Sequence, residues 1–162
     1  MKFFVKNGAN HNIVAIINGY KRTPLQKSTE APSLAIIQLL LEKIADVNEA
    51  PARPSGGTAI QMAAISGDVS VACELLCHGA KLDSPPPSTV NGRWPLEGAA
   101  EHGHGEMIKF LWDAAKEQRV VFDQAMCSRA IEPARGNGHP GCVESIRSLQ
   151  RESDSVSLLR LQ

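Results

Sequence analysis

Apolar and small residues recur along this chain in one order, four times over. Thr23-Pro24-Leu25-Gln26, Thr58-Ala59-Ile60-Gln61, Trp94-Pro95-Leu96-Glu97 and Arg129-Ala130-Ile131-Glu132 begin 35, 36 and 35 residues apart. Small residues follow: Ala63-Ala64, Ala99-Ala100 and a lone Ala134. Next comes Gly67, Gly103 or Gly138, with Pro32 in that place in the first unit. A second apolar run closes each unit: Ile36-Ile37 with Leu39-Leu40-Leu41, Val71 with Leu75-Leu76, Met107-Ile108 with Phe110-Leu111, and Cys142-Val143 with Ile146. The spacing predicts two helices per unit. Thr23 or Thr58 can cap the first helix, Pro24 or Pro95 suits its first position, and the glycine can take the left-handed turn that ends it. Two short helices bury little alone, so the units must stack.

The units follow the pattern T-P-L-x-x-A-A-x-x-G, then an apolar helix, and two of them close similarly, with Ala45-Asp46-Val47-Asn48 and Gly79-Ala80-Lys81-Leu82-Asp83. This resembles the ankyrin repeat, and four in-phase units make the resemblance specific. It implies a mainly α fold, an ankyrin-repeat α-solenoid of stacked helix-turn-helix units with loop or short β-hairpin fingers. The family period is about 33 residues, so these units are slightly long. The excess falls between Asn48 and Gly57 and between Asp83 and Gly92, a proline-rich lengthening similar to arrays in filamentous fungi. The expected organisation is a repeat domain over 1–149, with a partial repeat over 1–18. Full units follow over about 19–53, 54–89, 90–124 and 125–149, then a helical or disordered tail over 150–162. Phe3-Phe4-Val5 is too short for a secretory apolar region. It aligns instead with the second helix of an earlier unit, either a fragment of a longer array or an improvised cap.

Several local departures are expected. Ile13-Val14-Ala15-Ile16-Ile17 occupies the place of a finger but is apolar. It either folds over the open end of the partial repeat or offers a sticky contact. Pro32 should reshape its turn. Glu74 sits where a leucine is usual, so that seam should be partly exposed. Gly98 lies inside a first helix at a cost of about 1 kcal/mol against alanine. Pro133 is expected about four residues past the cap of the last first helix, after a linker over 116–127.

Composition narrows function by exclusion. Seventeen basic residues balance 17 acidic ones, which argues against nucleic acid as the main partner. No apolar run approaches the roughly 20 residues needed to span a bilayer. The four cysteines lack a secretory context. Cys73, Cys77 and Cys142 fall on second helices, where a free thiol acts as a small hydrophobe. Cys73, Cys77 and His78 have no second pair with zinc spacing. His102 and His104 flank a turn, where the resemblance implies hydrogen bonding. No P-loop, G-x-S-x-G or H-E-x-x-H is present. No catalysis, cofactor or metal is expected, and the expected setting is intracellular, cytoplasmic or nuclear.

The resemblance implies a protein-interaction module whose fingers and first helices line a concave face. On this chain that face holds Tyr20, Arg22, Glu30, Arg53, Ser55, Ile65, Ser66, Asn91, Arg93, Glu101 and His102. The arginines should form a rim for a partner's carboxylates or phosphates. Two other readings stay open: a regulatory piece of a larger enzyme or signalling protein, and a small cysteine or metal enzyme.

Overall fold

Capping chemistry sets where the helices begin. Thr58 Oγ1 accepts from the Gln61 N–H at 3.4 Å while Gln61 Oε1 accepts from the Thr58 N–H at 2.9 Å. This reciprocal box opens one first helix, and Thr23 with Gln26 repeats it at 3.2 and 3.1 Å in the unit before. The structure is a computed structural model that describes residues 15–17, 20–30, 33–43, 45–50, 57–85 and 93–159. A two-stranded antiparallel hairpin, β1 (Ala15–Ile17) and β2 (Tyr20–Arg22), precedes four helix pairs. The pairs are α1 (Pro24–Glu30) with α2 (Leu34–Glu42), and α3 (Ala59–Ser66) with α4 (Val69–Cys77). Then come α5 (Pro95–Glu101) with α6 (Gly105–Gln118), and α7 (Gln124–Gly136) with α8 (Pro140–Leu159). Gly67, Gly103 and Gly138 all end their first helices at positive φ, between 73° and 79°, as their place in the pattern requires.

The pairs stack into two layers. First helices pack closely on one another, while second helices stand further apart. Side-chain size explains this: α3 and α5 meet through Ala59, Ala63, Ala64, Gly98, Ala99 and Ala100, all within the core. The second helices contribute Ile37, Leu40, Leu75, Met107, Ile108, Leu111 and Ile146, each no more than 1% exposed. Narrow contacts on one layer and wide ones on the other bend a stack toward the first helices. Gly98 is therefore a packing requirement as well as a helix weakness. A Cβ there would sit 2.7 Å from Ile65 Cγ1 of the neighbouring unit.

Polar side chains tie unit to unit. Gln26 donates to the carbonyls of Glu49 and Ala50 at 3.1 and 3.2 Å, and Gln61 to that of Ser84 at 2.8 Å. Glu97 holds the same position in the third unit, and the Nε of Arg129 donates to it at 2.7 Å. Asn48 bonds both Gly79 O and the Lys81 N–H at 2.9 Å. Gln118 does the same for Ala80 O and the Leu82 N–H, at 2.6 and 3.1 Å. Glu74 is half-buried as expected and accepts from Gln38 across the seam.

The second half departs from the expected layout. α6 has 14 residues against nine in α4, because Ala114-Ala115-Lys116-Glu117-Gln118 are good helix formers with no glycine to stop them. The stretch 116–127 is thus not a linker: α6 and α7 take most of it. α7 starts at Gln124, capped by Asp123, whose carboxylate accepts from the Met126 N–H at 2.7 Å. Pro133 accordingly lies ten residues into α7, near its end, where few backbone bonds remain to be lost. α8 runs 20 residues, carrying the helix through the expected tail as far as Leu159. Pro32 lies outside the described residues, and of the partial repeat expected over 1–18 only residues 15–17 are described, as β1.

Candidate partner-binding face

Two ion pairs organise the first-helix face. Arg22, immediately before the cap of α1, donates from Nε to Glu30 Oε1 at 2.8 Å at that helix's far end. Arg93 stands in the same place before α5 and bonds Glu101 with both forks, at 2.5 and 3.2 Å. Each pair spans eight residues and fastens the approach of the chain to the last turn of the first helix. The bond to Glu101 chiefly raises the Arg93 pKa, outweighing the opposing effect of burial. At Glu30 burial alone would raise the carboxyl pKa, but hydrogen bonds and charge from Lys27 and Arg22 together bring it below its ordinary 4.5.

These pairs correct the expected arginine rim. Arg22 is only 6% exposed, so its guanidinium is a structural part of the first unit and not an open fork. Glu30 is committed to Arg22 and Lys27. Arg93 keeps about a third of its side chain in solvent, at 32%. Arg53, Ser55 and Asn91 lie outside the described residues, and Tyr20 is described only as backbone in β2.

The remaining predicted residues gather at the interhelical turns. Ser66 and His102 are exposed and Ile65 is half-buried beside Gly98. His102 Nδ1 lies 3.0 Å from Gly98 O, and its ring stacks on that of His104 at 6.2 Å with an 8° interplanar angle. His104 Nε2 reaches back to Ile65 O at 3.0 Å. Its ring covers Gly67, and the His139 ring covers Gly103 in the same way. Arg129 was not among the expected face residues, although it is 48% exposed and bridges two first helices through Glu97. The signal was present: a glutamate replaces Gln26 and Gln61 in phase, and a partly buried carboxylate calls for a cation.

The thiols divide by exposure. Cys73 and Cys77 are exposed on α4, whereas Cys127 and Cys142 are buried. Burial first, with the carboxylates of Asp123 and Asp154 adding, pushes the Cys127 thiol up to about 11. A thiol so placed stays protonated at neutral pH and is a poor nucleophile. Among the described residues no three of His, Cys, Asp and Glu converge as a metal set. No described helix is long and apolar enough to cross a membrane.

Stacked helix pairs with left-handed turns and alanine-lined first helices define a helical repeat solenoid. A family model described as Ankyrin repeats (3 copies) matches residues 1–86, just over half of the 162-residue chain. The chain belongs to the ankyrin-repeat family. Ankyrin repeats are in general protein-interaction modules and are typically not catalytic.

Proposed function

We propose that this chain holds a protein partner on its first-helix face, through side chains at the interhelical turns and the bases of the fingers. The observation that carries the reading is the preorganisation of that face. Ile65, Ser66, Arg93, Glu101 and His102 come from successive units, and ion pairs and ring contacts hold several of them before any partner arrives. Ordering costs met in advance leave more of the contact energy for affinity. Tyr20, Arg53, Ser55 and Asn91 complete the proposed set, while Arg22 and Glu30 support it from beneath. A paired Arg93–Glu101 surface offers both signs of charge side by side. It therefore suits a partner with a matching acid–base pair better than one offering bare phosphates.

The test starts with affinity capture of the partner and its identification. Replacing Arg53, Arg93 and His102 together by alanine should then weaken binding at least about tenfold, or 1.4 kcal/mol. Replacing Gln38, Cys73 and Lys109, exposed on the second helices, should leave affinity within experimental error. The opposite pattern would assign binding to the other face.

A further inference from the structure

Two thiols stand where the repeat otherwise keeps polar side chains facing solvent. The buried Leu40, Leu75, Leu111 and Ile146 mark one register on the four second helices. In that register Cys73 of α4 corresponds to Gln38, Lys109 and Glu144, all exposed. Cys77 corresponds to Glu42 and Asp113, both exposed, and to half-buried Ser148. Cys73 and Cys77 are themselves exposed. Cysteine is among the most buried residue types, and a thiol on this outer face has no core to fill. Packing therefore accounts for the buried Cys127 and Cys142 but not for this pair.

The pair shares one face of a regular helix. Positions four apart hold their Cβ atoms roughly 5–6 Å from each other, and the two thiols are close enough to hydrogen bond. That spacing decides between two chemistries. A disulfide needs Cβ atoms about 3.5–4.5 Å apart, so direct oxidation would have to distort the last turns of α4. A cation held between the sulfurs does not. Two metal–sulfur bonds of about 2.3 Å bridge sulfurs up to roughly 4.6 Å apart.

Ligand number narrows the cation. The neighbouring donors are engaged elsewhere: Glu74 accepts from Gln38 across the seam, and His78 Nδ1 lies 2.9 Å from Glu74 O. Among the described residues no third His, Cys, Asp or Glu joins the two sulfurs. Zinc takes four ligands in a closed site. Cu(I), for which soft thiolates are selective, is stable with two. We propose that Cys73 and Cys77 form a two-thiolate site for one Cu(I) ion on the outer face of α4. Both thiol protons pass to solvent as the two Cu–S bonds form, and neither copper nor sulfur changes oxidation state. The site lies on a second helix, away from the first-helix face, so it stands or falls independently of partner binding there.

The reduced full chain, titrated without oxygen with Cu(I) held by a chromophoric chelator, should withdraw one equivalent of copper. Thiolate-to-copper absorption in the near ultraviolet should rise until that point. Cys73→Ser and Cys77→Ser should each weaken uptake about tenfold or more. Cys127→Ala with Cys142→Ala should leave it unchanged. Cys77→Ser with His78→Cys keeps two thiols but turns one of them about 100° round the helix. That chain should bind as weakly as the single variants. Unchanged thermal unfolding by circular dichroism would show that the exposed changes leave the fold intact. Absence of uptake overturns the proposal, as does uptake indifferent to either serine or equal uptake by the displaced pair. Zn(II) should bind more weakly than Cu(I), and a chain that prefers zinc overturns it as well.

Discussion

At the scale of single residues, the left-handed glycines that follow helices meet two separate demands, and Gly67 after α3 and Gly79 after α4 separate them. Gly79 has φ 83° and nothing within 4 Å of an added Cβ, so only the backbone conformation resists substitution. Gly67 has φ 73°, and an added Cβ would fall 2.5 Å from the His104 ring. Gly79→Ala should cost about 1 kcal/mol. Gly67→Ala should cost a further 1–3 kcal/mol or so, from overpacking against a ring held by Ile65 O. Urea unfolding of both variants measures the difference, and equal losses would mean that His104 moves aside freely. Glu30 makes a second residue-scale prediction. Its folded pKa lies below the ordinary value, so its stabilising contribution is fully present above that value and is lost as pH falls through the folded one. Stability should therefore decline below about pH 4.5, and Glu30→Gln should flatten that decline. A Glu30→Gln chain with the parent's acid profile would show that the pair with Arg22 contributes nothing.

At the scale of elements, what was legible followed from local chemistry. Threonine caps, proline at the first helical position, alanine pairs and left-handed glycines mark where α1, α3 and α5 lie, and Leu40 and Leu111 are buried at 1% and 0%. The extent of α6 and the start of α7 do not follow from the repeat phase, because local propensity overrides it there, while α8 takes the helical of the two alternatives expected for the tail as far as Leu159. Ala114 to Gln118 has every reason to remain helical, and Asp123 is as good a cap as Thr58. The role of Arg22 was hidden for a different reason. Its partner is eight residues away across a cap, beyond the three- and four-residue spacings that pair side chains along one helix. Pro133 tests the revised layout. Near the end of α7 it removes a single bond to the carbonyl of Arg129 and leaves the helix continuous. Pro133→Ala should therefore stabilise the chain by about 1 kcal/mol, less than the roughly 3 kcal/mol of a central helix position. A gain near the larger figure in thermal or urea unfolding would mean that the proline strains the whole helix.

At the scale of the whole molecule, each unit contacts mainly its neighbours, and the ties run from one unit to the next. Gln61 reaches Ser84, Asn48 reaches Gly79, Gln118 reaches Ala80, and Asn137 donates to Glu101 O at 3.0 Å. Stability in such an array is close to a sum of unit and interface contributions. A defect should consequently act according to its position. Leu75 in α4 and Ile146 in α8 are both fully buried aliphatics. Truncating either to alanine should cost about 2–5 kcal/mol, a large share of the 5–15 kcal/mol typical of a domain. The cavity at Ile146 borders α6 on one side only, so amide hydrogen exchange should speed up in α7 and α8 and stay unchanged in α3 and α4. The cavity at Leu75 lies between α2 and α6 and removes support from both. It should speed exchange in α1 and α2 as well as in α5 and α6. If Ile146→Ala instead accelerated exchange equally from α1 to α8, the chain would unfold as one indivisible unit, and the nearest-neighbour account of its stability would fail.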